Sequence, residues 1–176
     1  MAAGIVERRP QRDPDGRREV ERRVYVMAPR REVWAMVHDP SEIRFVYPEL
    51  TLGPADPSWP AAGSHRLGEA HLGLLRTAVR VESLEARPGS SFRLAVVAAG
   101  FVIEWGWRME SLAGGTRVIH DGTFETHDRW AGVLVRLGRE SMGSLAEVHL
   151  RVLKERAEAA SRAATAASQA AAGPAA

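Results

Sequence analysis

Hydrophobic and polar residues alternate along this chain with a period that changes in an informative order. Over residues 19–27, Val20, Val24 and Val26 stand among charges at even spacing, the period-two signature of a strand, and Ala28-Pro29 ends it. Pro29 suits the first turn of a helix, and Val33, Trp34 and Val37 recur at helical spacing until Asp39-Pro40. A second short helix is expected from Ser41, read as its N-cap, to about Tyr47, with Ile43 and Val46 on one side and Tyr47-Pro48 closing it. Helices this short hold only against a larger body.

From Leu50 to Thr126 the period is two, broken by Gly and Pro clusters, which predicts strands near 50–56, 63–72, 74–86, 91–98, 101–112 and 115–126. The clearest hairpin is the last, where Gly114-Gly115 separates Trp105-Gly106-Trp107-Arg108-Met109 from Thr116-Arg117-Val118-Ile119-His120. After Asp128, a suitable N-cap, the period returns to 3.6. Trp130, Leu134, Leu137, Ser141, Leu145, Val148 and Val152 form a stripe, predicting a helix of about 35 to 45 Å at 1.5 Å per residue.

Strands that arrive in sequence without helical crossovers cannot build a parallel sheet. The expected fold class is therefore α+β: about seven antiparallel strands in β-α-α-β6-α order, curled around the long C-terminal helix. A strongly twisted sheet gripping one helix leaves space between its concave face and that helix, to be filled by large side chains or by a ligand. One domain over residues 19–158 is expected. It is flanked by a mobile tail, 1–18, of charges and turn formers without periodicity, and by an Ala-rich tail, 159–176, which has the propensity to extend the helix but no apolar face to dock.

Composition narrows the function classes. The chain of 176 residues is 45% hydrophobic and 26% charged, as globular domains are. Its longest uncharged apolar run is too short for a bilayer span, and its N-terminus is charged, so a soluble, unexported, cytoplasmic protein is expected, with no integral membrane segment. The absence of cysteine excludes disulfides, thiol nucleophiles and thiolate metal sites. Nucleic acid is not expected as a partner despite a pI near 9.6, because the net charge is only +2. Lys154 is the sole lysine among 24 basic residues, a bias that fits a high-GC, bacterial genome. Oligomeric state is left open.

Several segments carry a family likeness. Ala28-Pro29 with Val33-Trp34 and Asp39, Tyr47-Pro48-Glu49, Val81-Glu82 with Arg87-Pro88, Trp107-Arg108-Met109-Glu110, and Gly114-Gly115-Thr116-Arg117-Val118 occur in this order across residues 19–158. In order and spacing the chain resembles the START-like (SRPBCC) superfamily, the helix-grip fold, and within it the polyketide cyclase/dehydrase and lipid-transport branch. The resemblance implies a pocket for apolar ligands. It does not imply one activity, since the fold hosts carriers, receptors, cyclases and cochaperone modules.

Alternation assigns the candidate site. If Val118 faces inward, so do His120, Gly122 and Phe124, and across the hairpin Ile103, Trp105, Trp107 and Met109. Trp34 from the first helix and Leu134, Leu137, Ser141 and Leu145 from the last complete the expected ligand lining. His120 is the catalytic candidate: an imidazole among apolar neighbours is held neutral and can act as a base or donate to a ligand carbonyl, although a lone buried histidine is more often structural. On the strand 63–72, His65, Glu69 and His71 share one face and Arg66, Gly68 and Ala70 the other, with the inner face undecided. Glu104, Arg108 and Arg117 are expected outside, the arginines pairing with Glu110 or Glu125. Gly132, Gly138 and Gly143 weaken the last helix and require a reason, such as close approach of the sheet or room for a ligand. The loop 53–63 around Trp59 is a candidate rim over the pocket mouth.

No metal site is expected, since no histidine and carboxylate spacing matches a ligand motif, and no cofactor is implied. The expected function is binding, and possible transport, of a hydrophobic small molecule such as a lipid, isoprenoid or polyketide. Two alternatives stand beside it: a polyketide cyclase/aromatase that folds a bound chain and moves protons, and a cochaperone-like protein-interaction module.

Overall fold

The computed structural model describes the backbone of residues 18–72, 75–126 and 131–171, and the side chains of 20–71, 76–126 and 141–171. In chain order the elements are β1 (Arg18–Val26), α1 (Arg30–His38), α2 (Pro40–Val46), β2 (Leu50–Leu52), β3 (His65–Leu72), β4 (Leu75–Arg87), β5 (Ser91–Ala98), β6 (Phe101–Leu112), β7 (Gly115–Thr126) and α3 (Ala131–Ala171). Among the described residues the strands form one seven-stranded sheet in the order β1-β7-β6-β5-β4-β3-β2, every neighbouring pair antiparallel. The expected α+β helix-grip architecture is therefore the observed one.

Three boundaries differ for identifiable reasons. Asp39, not Ser41, caps α2: its Oδ1 accepts from the Ser41 amide at 2.8 Å, and Pro40 occupies the first turn, where a missing N–H costs nothing. The strand expected over 50–56 stops at Leu52: the Gly53 amide still donates to the Leu67 carbonyl at 2.9 Å, but Pro54 and Pro57 have no N–H with which to continue the ladder. The Ala-rich segment past residue 158 continues α3 to Ala171, exposed from residue 162 onward, as alanine propensity allows without any docking face. The N-terminal stretch 1–17 lies outside the described residues, as do the cap Asp128 and Trp130.

Odd and even positions of the strands separate cleanly. The concave face carries Phe92, Leu94 and Val96 of β5, Phe101, Ile103, Trp105, Trp107 and Met109 of β6, and Val118, His120 and Phe124 of β7, all buried. The convex face carries an ion-pair lattice: Arg93 bridges Glu104 (3.2 Å) and Asp121 (2.7 Å), Arg108 reaches Glu21 (2.9 Å), and Arg117 pairs with Glu110. Arg117 thus meets one of its expected partners, whereas Arg108 turns to β1 and Asp121 instead. An open depression of about 340 Å³ on this side is lined by Glu21, Arg93, Arg108 and Asp121 with Val20, Gly122 and Thr123. Its charges answer one another, so it offers nothing to an apolar guest.

Helix α3 lies across the concave face, packed against β1, α1, β7 and α2, and runs antiparallel to β7. Met142 reaches Gly122, His149 meets His120, and Lys154 donates to the Tyr25 carbonyl at 2.8 Å. The buried stripe is Met142, Ala146, His149, Leu150, Leu153 and Ala157. It is displaced by one position from the expected Ser141, Leu145, Val148 and Val152, which stand exposed or half-buried at its flank. Small and polar residues, Ala146 and His149, share the stripe with the fully buried Leu150 and Leu153, and His149 meets the ring of Trp105. Gly143 has a specific cause, since a Cβ there would lie 3.0 Å from the Arg22 guanidinium that passes beneath the helix to reach Glu147. The side chains at 132 and 138 fall outside the described residues.

Candidate functional site

The centre of the concave face holds a buried hydrogen-bonded chain. β7 directs His120 inward, where it is fully buried, and its Nδ1 lies 2.8 Å from the Gly106 carbonyl on β6. Its Nε2 lies 3.0 Å from Nδ1 of His149, fully buried on α3. His149 Nε2 in turn lies 2.9 and 3.1 Å from the two carboxylate oxygens of Glu49, which follows α2. Trp107 and Trp105 flank the His120 ring, with centroids 3.6 and 4.8 Å away and planes within 13° and 24°. The Trp107 indole N–H donates to the Tyr47 hydroxyl at 2.5 Å, and the Tyr47 ring meets His149 edge-on at 4.7 Å.

These contacts dictate where the protons sit. A carbonyl only accepts, so His120 must carry its proton on Nδ1, which leaves Nε2 as an acceptor while the ring is neutral. His149 must then donate from Nδ1, and its Nε2 faces a carboxylate, which also accepts. One proton therefore lies between His149 Nε2 and Glu49. Burial holds the His120 pKa well below the ordinary imidazole value, the neighbouring His149 lowers it further, and the bond to Gly106 opposes in part. Burial likewise raises the Tyr47 phenol, with the nearby Glu49 and Asp121 charges adding to the shift and the Trp107 bond opposing it, so the hydroxyl stays neutral.

Of the residues expected to line a ligand, Ile103, Trp105, Trp107, Met109, Val118, His120 and Phe124 share the buried concave face. Trp34 stands apart on α1, stacked on His38 and edge-on to Phe92. Leu145 is half-buried and Ser141 exposed on α3, while the side chains of Leu134 and Leu137 lie outside the described residues. Trp59 of the candidate rim is turned inward: its indole donates to the His38 carbonyl at 2.8 Å and its ring meets Phe92. The face of β3 left undecided is settled: His65, Glu69 and His71 lie on the convex side and Arg66 and Ala70 inside. Among the described residues no cluster of histidine and carboxylate groups is arranged to hold a metal ion.

Four residues of this region escaped sequence reasoning. His149 was hidden by a stripe drawn through bulky aliphatics, and Glu49 and Tyr47 lay in a segment read as the end of a helix and as part of the family likeness, with no place in the site. Arg66 is the fourth. It is 6% exposed, its Nε and Nη2 donate to the Gly53 carbonyl at 3.1 and 2.7 Å, and its Nη1 is buried without a partner. Burial lowers its pKa from the ordinary arginine value, and among the described residues no carboxylate pairs with it. Register aligns it across the concave face with Val81, Val96, Ile103 and Phe124. A charged donor thus ends the apolar row at β3, and at β1 the register sets Arg18 opposite Phe124.

Comparison with known proteins places this geometry in context. A family model described as polyketide cyclase/dehydrase and lipid transport matches residues 17–158. No curated protein matches the chain. Among solved structures, TTHA0849 from Thermus thermophilus is similar at 22% identity and TM-score 0.62, covering 81% of this chain and 99% of that one. The Zhui aromatase/cyclase from Streptomyces sp. R1128 aligns at 14% identity and TM-score 0.66 over 81% of this chain and 94% of its own. StfQ, a di-domain ARO/CYC from the steffimycin biosynthetic pathway, aligns at 12% identity and TM-score 0.65 over 80% of this chain and 50% of its own. At these identities the likeness is one of fold.

Proposed function

Because the chain belongs to the polyketide cyclase/dehydrase and lipid transport family, we propose that it binds an apolar small molecule bearing an oxygen acceptor, of lipid, isoprenoid or polyketide type. The proposed site is the concave face of the sheet where α3 crosses it. The helix axis, traced back from His149 over His120 and Met142 over Gly122, continues toward the Phe124 end, where Ile103, Val96 and Val81 lead across to Arg66. Arg66 is the observation that carries the reading. A buried donor left unpaired costs about 1–3 kcal/mol, and a ligand carboxylate, phenolate or ketone oxygen would recover it. The rest of the row supplies apolar contact.

Binding is favoured over catalysis by the state of the histidines. Both nitrogens of His120 and both of His149 are committed to protein partners, so neither offers a free lone pair to a substrate. The cyclase alternative keeps one support, the same Arg66 Nη1, which would hold the oxygen of an enolising ketone.

Replacing Arg66 with methionine keeps the volume and removes the donor. Fluorescence displacement with a long-chain carboxylate should then show affinity reduced about tenfold or more, with binding of a neutral apolar dye preserved, as a lost hydrogen bond from a charged group requires. Equal loss for both probes would place Arg66 in the fold rather than at the ligand. Failure of the unaltered protein to bind either probe, together with native mass spectra free of any co-purified apolar molecule, would end the binding reading. Turnover of a polyketide chain, abolished by the same substitution, would move the assignment to the cyclase.

A further inference from the structure

The buried chain from Glu49 to Gly106 ties three elements together at one point: the segment after α2 through Glu49, α3 through His149, and the sheet through His120. We propose that this chain is an acid-sensitive latch, which holds the middle of α3 on the sheet near neutral pH and lets it detach as the pH falls through the weakly acidic range.

The geometry explains why the latch can open but cannot titrate while closed. His120 Nδ1–H is fixed by the Gly106 carbonyl, and its Nε2 lone pair is filled by the His149 Nδ1–H at 3.0 Å. A second proton on His120 would set two N–H groups against each other inside a slot closed by Trp105 and Trp107. It enters only if His149 leaves, and His149 leaves only with α3. Other ionisable groups face the pair from each packed element. They are Arg22 of β1, which lies opposite His120 in register and reaches Glu147 of α3, then Glu49 and Tyr47 beside His149, and Asp121 behind them on the convex side. Arg22 is cationic and opposes a charge on His120.

The sign follows from proton counts. In the closed state His120 binds no extra proton; once released, its imidazole takes one up below about pH 6.5. Hydrogen-bond geometry places one proton between His149 and Glu49 in the closed state, so the extra proton that separates the two states is the one His120 takes up. Its pKa is lower closed than open, so the closed state loses ground as the pH falls, by up to about tenfold per pH unit. Three further carboxylate contacts hold α3, Glu158 accepting from the Met27 amide, Glu42 from Arg156 and Glu147 from Arg22, and the interval from pH 6.5 to 5 lies above the range in which carboxylates ordinarily titrate. That window isolates the histidines.

Hydrogen exchange on the ligand-free protein tests the latch whether or not the binding reading holds. After correction for intrinsic rates, amides of residues 142–157 should lose about tenfold of their protection between pH 6.5 and 5, while those of β4 and β5 stay within about twofold. In the double variant His120→Phe with His149→Leu the difference should vanish. Should that variant not fold, nitrogen NMR of the unaltered protein serves instead: His120 Nε2 must remain unprotonated in the closed population as α3 opens. Helix protection that holds to pH 5, loss spread equally over β4 and β5, or an imidazole that titrates with α3 still closed would each overturn the latch. Release of a bound apolar molecule on acidification is the consequence if the binding reading also stands.

Discussion

Substituting leucine for His149 is expected to remove about 3–5 kcal/mol from the stability of the fold at pH 7, the range found when one member of a buried charged pair is deleted. For a chain of this length that corresponds to a fall in Tm of roughly 10 °C. Leucine matches the imidazole in volume and suits a helix, so the loss comes from what is left behind. His120 Nε2 keeps a lone pair with no donor, and Glu49, whose side chain is 8% exposed, keeps a carboxylate with no cation. Adding Glu49→Leu removes the stranded charge and should restore a large part of the loss, because taking away both partners costs far less than taking one. Guanidinium unfolding of the two single variants and the double, with unchanged m, measures the coupling. A loss below about 1 kcal/mol for His149→Leu would mean that the chain is an incidental contact.

The fold was legible because binary patterning follows backbone period, and most elements keep their period, β4 breaking it at the register shift between Ser83 and Glu85. The alternation through Val118 to Phe124 and Ile103 to Met109 placed seven of the candidate residues on one buried face, as the structure has them. Legibility failed where tertiary contact overrides the hydrophobic scale. On α3 the bulky residues Leu145, Val148 and Val152 are flank positions, and the seam, one position further on, runs through Ala146, His149, Leu150, Leu153 and Ala157, so that a histidine takes a place the hydrophobic scale would give to an aliphatic side chain. A buried histidine is visible as such only when its partner is known, and the partners of His149 lie 29 and 100 residues away. Arg66 escaped for the same reason: nothing local tells an inward arginine from an outward one on a strand that alternates Arg66, Gly68 and Ala70 with His65, Glu69 and His71.

The largest steric prediction concerns Gly122. It lies on β7 directly opposite Trp105 of β6, and the indole is laid across it: a Cβ at this position would stand 2.4 Å from Cε3 and Cζ3 of that ring and 3.1 Å from Cε of Met142. No real Cβ tolerates the first distance, so either β7 or the ring must move. The ring has little freedom, for its other neighbours are His120, stacked at 4.8 Å, and His149, edge-on at 5.0 Å, and Trp105 is 1% exposed. Overpacking costs about 1–3 kcal/mol where side chains can yield. With a rigid indole held between α3 and the histidine chain, Gly122→Ala is expected at about 3 kcal/mol, read from chemical denaturation. Combining it with Trp105→Leu should recover most of that loss, because the smaller side chain vacates the position that the new methyl needs, and the two changes together should be less harmful than their separate costs imply. Additive losses would show that Gly122 serves the backbone of β7 and not the indole. Recovery would establish Trp105 as the partition between the buried histidines and the apolar row that leads to Arg66.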